Sequence, residues 1–371
     1  MKNHNYPEAF LELVRAGLWS DGNPDIQIDG TTDWQGVYRL AAEQSVLGLV
    51  LAGLEHSDIK PPKELLLLWI GEVQMIEQQN KAMNGFIADI VEKMRDAGIY
   101  SLIVKGQGVA QCYERPLWRS SGDVDILLSD DNYVKAKKYL IPVADSVETE
   151  SGKHQGMTLG QWVVELHGNL HCGLSTRMDK VIDDVQNDVF FRGNVRSWKN
   201  GKTQVFLPSP ENDSIFIFTH YLKHFYKGGL GMRQICDWCR LLWTYRESID
   251  YHILEHRLKE MRLTSEWKSF GAYAVEYLGM PTEAMPLYEN KMKWKKKARR
   301  INIFVMAVGN MGHNREKEHK GRKTFIVRKI VSFNRRIMDF FDHVMIFPLD
   351  SLRFFASIVF NGIRLAAKGI G

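Results

Sequence analysis

Cysteine is scarce: four in 371 residues, at Cys112, Cys172, Cys236 and Cys239. That usage fits a reducing compartment rather than a disulfide-built scaffold. Cys236 and Cys239 form C-D-W-C, but there is no second CxxC to complete a zinc site, and the surrounding MRQICDWCRLLW has the spacing of an amphipathic helix. The pair therefore reads as helix packing. No run reaches the roughly eighteen uncharged apolar residues of a membrane span. The nearest, Phe354 to Ile363, is short and bracketed by Arg353 and Arg364. The opening stretch, MKNHNYPEAFLELVRAG, lacks an apolar core followed by a small-residue cleavage site, which predicts a cytoplasmic protein. Internal repeats, low-complexity tracts and a G-x-x-x-x-G-K-[ST] loop are also missing. What remains is an ordinary globular composition, with length for two or three domains.

Charge is unevenly spread. Lys291 to Gly371 carries nineteen Lys/Arg against five Asp/Glu, leaving thirty basic and thirty-nine acidic groups on the rest. This polarity predicts either an anionic partner for the basic end or its packing on an acidic body. The run KMKWKKKARR offers a grip on nucleic-acid phosphates, a polyanionic substrate or anionic lipid. The aromatic-rich segment after it fits a peripheral contact with an anionic membrane, or a terminal helical subdomain.

Periodicity divides the chain into helical, mixed and helical parts, an α+β class. Residues 1–98 read as a helical region. Within it, DWQGVYRLAAEQSVLGLVLAGLEH is one helical stretch with Asp33 as N-cap. Pro61 and Pro62 then open a long helix over Lys63 to Ala97. Residues 99–208 read as a small mixed-sheet core. Its expected strands are YSLIVKG, DVDILLS, GQWVVELHGNL and TQVFLP. A helix covers 107–114, and DDNYVKAKKYLIPVA forms another, capped by Asp130 or Asp131. Ser209 and Pro210 open a helical domain over 209–290, and a basic helical region follows over 291–371.

The mixed core holds the unusual chemistry. Asp123 and Asp125 alternate with Val124, so both carboxylates project from one strand face, about 6.6 Å apart along it. Glu165, between Val164 and Leu166, falls on the same face of a neighbouring strand. At an effective dielectric near 20, each acid pair at ~5 Å repels by about 3 kcal/mol. A divalent cation removes that cost. Mg²⁺, or Mn²⁺ in its place, prefers carboxylate oxygens together with phosphate, and a pair of such ions suits phosphoryl or nucleotidyl transfer. Gly106, Gln107 and Gly108 lie where a strand yields to a helix, so phosphate can approach the backbone there. Lys105 and Arg119 add positive charge. Secondary candidates are His167, on the face of Glu165, and His220 with His224, one helical turn apart. Those two read first as packing or surface residues rather than as metal ligands, and second as groups that position an acceptor or nucleotide. Arg233 and Asp237 read as an intrahelical ion pair.

The stretch LIVKGQGVAQCYERPLWRSSGDVDILL, with VVELHGNL after it, resembles the DNA polymerase β-type nucleotidyltransferase superfamily. It is most similar to the bacterial group of uncharacterised nucleotidyltransferases of the nucleotidyltransferase-5 type. The shared motifs are Lys105-Gly106, Tyr113 with Pro116, Arg119 with Gly122-Asp123-Val124-Asp125, and Glu165-Leu166-His167. The resemblance implies that Asp123 and Asp125 bind both metals. It implies that Glu165 binds the one activating the acceptor hydroxyl. The wider superfamily has Gly-Ser or Gly-Gly where this chain has Gly106-Gln107, which shifts serine's work toward Lys105 or Arg119.

Together these features predict a Mg²⁺- or Mn²⁺-dependent enzyme moving a nucleoside monophosphate from an NTP to a hydroxyl-type acceptor. A sugar or small metabolite, an antibiotic-like molecule, an RNA end and a protein side chain all stay open as acceptors. The alternative is a non-catalytic nucleotide-binding or membrane-associated module that keeps the fold.

Overall fold

The computed structural model describes residues 6–19, 26–227, 229–309 and 337–356. Four helices come first: α1 (Tyr6–Leu18), α2 (Trp34–Glu43), α3 (Leu47–Glu55) and α4 (Lys63–Asp96). Asp33 caps α2 as expected, its carboxylate accepting the Gly36 N–H at 3.0 Å. The single helical stretch expected over 33–56 is instead two helices, broken where Ser45 takes φ +57°. The cause is Gln44, which is fully buried. Its amide nitrogen donates to the Val305 carbonyl at 2.9 Å, and its oxygen accepts the Met232 N–H at 2.7 Å. Continuing the helix would forfeit both bonds. Helices α1 and α3 then pack backbone to backbone: a Cβ on Gly53 would stand 2.0 Å from the Leu13 carbonyl oxygen.

The mixed core follows: β1 (Ser101–Val104), α5 (Gly106–Ala110), β2 (Asp123–Leu128), α6 (Asp130–Leu140), β3 (Ser146–Val147), β4 (His154–Leu159), β5 (Trp162–His167), α7 (Thr176–Phe191), β6 (Val195–Asn200) and β7 (Thr203–Pro208). Helix α5 is shorter than the one expected over 107–114; a turn and a single 3₁₀ turn at Pro116–Trp118 intervene before β2. Ser129 occupies the N-cap of α6, and Asp130 and Asp131 fall in its first turn, where their charge suits the helix dipole. Strands β3, β4 and β6 and helix α7 are additions to the expected pattern. The five-stranded sheet has the order β1-β2-β5-β4-β3. Only the β2–β5 pair is parallel, and β6–β7 form a separate hairpin.

The sheet has two unlike faces. Val124, Ile126 and Leu128 of β2, with Val164 and Leu166 of β5, are buried with Met83, Ile87 and Ile90 of α4 and Ala136 and Leu140 of α6. The alternate positions on β2 and β5 carry Asp123, Asp125, Glu165 and His167. Parallel register places Asp125 directly beside Glu165.

Helices α8 (Pro210–Lys227), α9 (Met232–Thr244), α10 (Tyr251–Met261), α11 (Thr264–Leu278) and α12 (Met292–Val308) complete the described chain, with helical stretches at 337–346 and 348–356. Pro210 is the first residue of α8, and Ser209 Oγ accepts the Asn212 N–H at 3.5 Å. The largest apolar cluster draws on α1–α3, on α7–α12, and on Leu102, Val104 and Leu127 of the sheet. Cys236 and Cys239 are free thiols inside it, as helix packing predicts. Residues 346–350, expected as a loop, break the helix only at Phe347; Pro348 opens the next turn. The loop expected at 312–323 and the apolar run beyond Ala356 lie outside the described residues. No helix among the described residues is long and apolar enough to cross a membrane.

Candidate active site

Three acids converge as their alternation predicts. Carboxylate oxygens of Asp123, Asp125 and Glu165 lie within 4.8 Å of one another. They border a cleft of about 520 Å³. Its opposite wall is α8 and the start of α9, through Ile217, His220, Tyr221, Lys223, His224, Arg233 and Gln234.

Asp125 is the buried member, 3% exposed. Its Oδ1 accepts from Lys105 Nζ at 2.6 Å and from His167 Nε2 at 2.7 Å. Burial works to raise its carboxyl. Lys105 and the His167 hydrogen bond outweigh that and hold it below the usual carboxylate range. Asp123 shifts the other way, raised chiefly by the charge of Asp125 and then by burial. Two neighbouring acids are thus driven apart by unlike surroundings. Glu165 is held well below its ordinary value by hydrogen bonds from His154 at 3.0 Å and from His167. An oxygen-rich trio whose repulsion is only partly offset, by Lys105 and by hydrogen bonds from His154 and His167, fits a hard divalent cation.

The backbone is shaped to deliver Lys105. At the end of β1 the residue takes φ +55° and ψ −146°, a conformation rare for any side chain but glycine. Gly106 follows at φ +37°. This reversal turns the chain into α5 and brings the ammonium group onto Asp125. Burial opposes the charge on Lys105; Asp125 more than offsets it, and the amine is raised.

Other sequence-predicted residues occupy different places. Lys105, Gly106 and Arg119 line the cleft; Gln107 and Gly108 do not. A Cβ on Gly108 would come 2.9 Å from Leu207 Cδ2, so this glycine admits β7. Gln107 is 2% exposed, and its amide donates to Asn80 Oδ1 on α4 at 2.7 Å. Asn80 also donates to the carbonyls of Leu117 and Arg119, at 2.7 and 2.8 Å, and accepts from Ser121 Oγ. It thereby fixes the loop leading into Asp123. The sequence held a signal for Asn80: it interrupts the apolar stripe of Val73, Met83 and Ile87 on α4.

Arg119 is committed to a bidentate pair with Asp237, Nε to Oδ1 and Nη2 to Oδ2, each 2.7 Å. Tyr113 also donates to Asp237, at 2.8 Å. The expected intrahelical Arg233–Asp237 pair is therefore replaced by a cross-element one, because Arg119 presents the planar fork that a carboxylate matches. Arg233 instead donates to the Ser120 carbonyl at 2.9 Å, and its buried Nε has no partner among the described residues. Lys223 likewise has no carboxylate partner among them, and burial lowers its amine. Two cations without counter-ions thus face three acids across the cleft. Sequence reasoning missed Lys223, although it lies between His220 and His224 on the helix face it had singled out.

His167 is 7% exposed and faces the acids rather than solvent. His220 and His224 share a hydrogen bond between their Nε2 atoms at 3.1 Å. His224 is pushed down to about 4, first by burial and then by Lys223, Lys105, Lys227 and Arg233. A depressed histidine stabilises the fold fully above its unfolded value near 6.5, and that stability is lost as pH falls toward 4. His224→Gln should therefore lose less stability than the native protein between pH 6.5 and 4.5. Denaturant midpoints measured across that range check this, and parallel pH profiles would refute it.

A mixed sheet with this acid trio, backed by helices, is consistent with a nucleotidyltransferase-like fold. The chain belongs to the family of uncharacterised nucleotidyltransferases, whose model matches residues 30–279. Among solved structures, it is similar to an antigenic nucleotidyltransferase-like protein from Paracoccidioides brasiliensis. That similarity has 14% identity and a TM-score of 0.31, over 49% of this chain and 90% of that one. No curated protein matches it.

Proposed function

We propose that the protein transfers a nucleoside monophosphate from an NTP to a hydroxyl-type acceptor and releases pyrophosphate. The observation that carries this reading is the convergence of Asp123, Asp125 and Glu165 within 4.8 Å, opposite the uncompensated cations Lys223 and Arg233. Asp123, Asp125 and Glu165 would hold Mg²⁺ or Mn²⁺, which when bound offsets phosphate charge and activates the attacking oxygen. Lys223 and Arg233 neutralise the triphosphate from the helical wall. Lys105 keeps Asp125 ionised and in place. The acceptor oxygen forms a bond to the α-phosphorus as the bond to the β-phosphate oxygen breaks. Pyrophosphate leaves, and the hydroxyl proton passes to a carboxylate or to solvent. Donors placed before the charge develops need no rearrangement during reaction.

The direct test is transfer from labelled NTPs, with Mg²⁺ or Mn²⁺, to a panel of sugars, RNA ends and proteins. Transfer lost in Asp123→Ala and Asp125→Ala supports the enzyme. Nucleotide binding with no turnover on any acceptor supports the non-catalytic module instead.

The cation wall makes a separate prediction. Lys223→Met and Arg233→Met should each weaken binding of a non-hydrolysable NTP by about tenfold or more, the worth of a charge-assisted hydrogen bond. Lys223→Met should not lower stability, because the ammonium group it removes has no counter-ion. Calorimetric titration and a melting curve read the two effects; unchanged nucleotide affinity in both variants would remove the wall from the site. For the basic C-terminal region, co-flotation of the full chain with anionic liposomes tests peripheral membrane contact.

A further inference from the structure

The acid trio is only half of the donor chemistry on this sheet face. His154 on β4 is the direct cross-strand partner of His167 on β5, and Glu165 lies two residues before His167 on the same face. The two rings are 4.8 Å apart. Glu165 Oε2 stands 3.0 Å from His154 Nε2 and 3.5 Å from His167 Nε2. One donor atom from each residue falls within a 4.8 Å set.

We propose that His154, Glu165 and His167 form a second cation position, selective for a divalent transition ion, which shares Glu165 with the all-oxygen position of Asp123 and Asp125. The identity of the oxygen half rests on the function proposed above; the nitrogen half does not. Ions bound at ~2.0–2.2 Å in tetrahedral or octahedral geometry hold adjacent donors roughly 3.0–3.5 Å apart, matching the two separations from Glu165. Imidazole nitrogen suits Zn²⁺, Fe²⁺ and related ions, whereas Mg²⁺ selects oxygen. Each Nε2 becomes a ligand once its ring proton resides on Nδ1. An ion at His167 Nε2 therefore replaces the hydrogen bond that this atom otherwise gives Asp125 Oδ1 at 2.7 Å, and Lys105 stays as the donor to that oxygen. Access is graded: side-chain exposure is 38% for His154, 27% for Glu165 and 9% for His167. The position is thus open on the β4 side and anchored on the Asp125 side.

The site therefore has unlike halves, one for a hard ion and one for a softer ion, joined by a single carboxylate. The competing account is that the histidines only orient Glu165 by hydrogen bonding.

The test uses the full chain, stripped with a chelator and titrated with Mn²⁺ without nucleotide, in a large excess of Mg²⁺. Pulsed electron paramagnetic resonance reads ¹⁴N coupling to the bound ion. Nitrogen-coupled Mn²⁺ is expected in the native protein. In His154→Gln, which keeps a hydrogen-bond donor for Glu165 and alters an accessible side chain, Mn²⁺ affinity should fall at least about tenfold and the coupling should weaken. His167→Gln should do the same. With the oxygen half filled by the Mg²⁺ excess, the absence of any nitrogen-coupled Mn²⁺, or unchanged affinity in both variants, overturns the proposal. Asp123→Asn separates the two claims: it should keep the nitrogen-coupled ion while losing nucleotidyl transfer. If the native protein shows nitrogen coupling but no transfer, the enzymatic reading fails and the cation position stands.

Discussion

Asp123→Asn should reduce nucleotidyl transfer by at least about a hundredfold while leaving the metal-free protein as stable as before, or more so. The two outcomes share one cause. Asp123 is raised first by the charge of Asp125 and then by burial, so its ionised form is disfavoured in the fold. An acid raised on folding contributes stability below its unfolded value and loses it as pH rises through its folded value. At neutral pH the native carboxylate is therefore a net cost, and asparagine removes it. With a divalent ion and NTP present the order reverses: the native protein gains stability by binding, and the variant gains much less. Melting curves with and without Mg²⁺ and a non-hydrolysable NTP, set beside transfer rates, test both halves. Transfer retained within tenfold would show that the trio does not hold the reacting centre.

Asp125→Asn provides the contrast. Asp125 is buried, and Lys105 and His167 both donate to one of its oxygens. Neutralising it strands a buried ammonium group, so this variant should lose stability as well as activity. Two acids one residue apart thus separate function from folding.

Sequence alone made the acid face legible because strand alternation is strict: once Val124, Val164 and Leu166 are inward, Asp123, Asp125 and Glu165 share the other side. The glycine segment was less legible. Gly106 and Gly108 look alike in the sequence, yet one takes a positive φ at the cleft and the other makes room for Leu207. Nothing local distinguishes them, because β7 arrives from about a hundred residues away. His154 was hidden for a similar reason. Strand β4 carries Gly156 and polar residues, so its alternation is weak, and only pairing with β5 brings the histidine beside Glu165. The Arg233–Asp237 spacing suggested an intrahelical pair of a few tenths of a kcal/mol. A bidentate partner from another element prevails when both charges are buried.

That buried pair supports the last prediction, the largest expected effect on stability. Arg119 and Asp237 have side chains 6% and 9% exposed, and they join the loop before β2 to α9. Arg119 Nη1 adds a bond to the Ser120 carbonyl at 3.2 Å, so each of its nitrogens has a protein partner. Removing Asp237 would leave a guanidinium group and the Tyr113 hydroxyl without their shared acceptor. Asp237→Ala should cost about 3–5 kcal/mol, as breaking one side of a buried pair does. Arg119→Met should cost a similar amount, through the stranded carboxylate. The double variant Arg119→Met with Asp237→Ala should be more stable than the sum of the single losses predicts, since neither charge remains to be desolvated. Denaturant unfolding of the four proteins closes the cycle; single losses under about 1 kcal/mol, or simple additivity, would mean the pair is solvated and independent. Arg119→Lys is informative for function, because an ammonium group keeps the charge but loses the fork. If Arg119 acts by fixing the loop that carries Asp123, lysine should lower stability and kcat together while NTP affinity stays near native. If it grips the triphosphate directly, affinity should fall first.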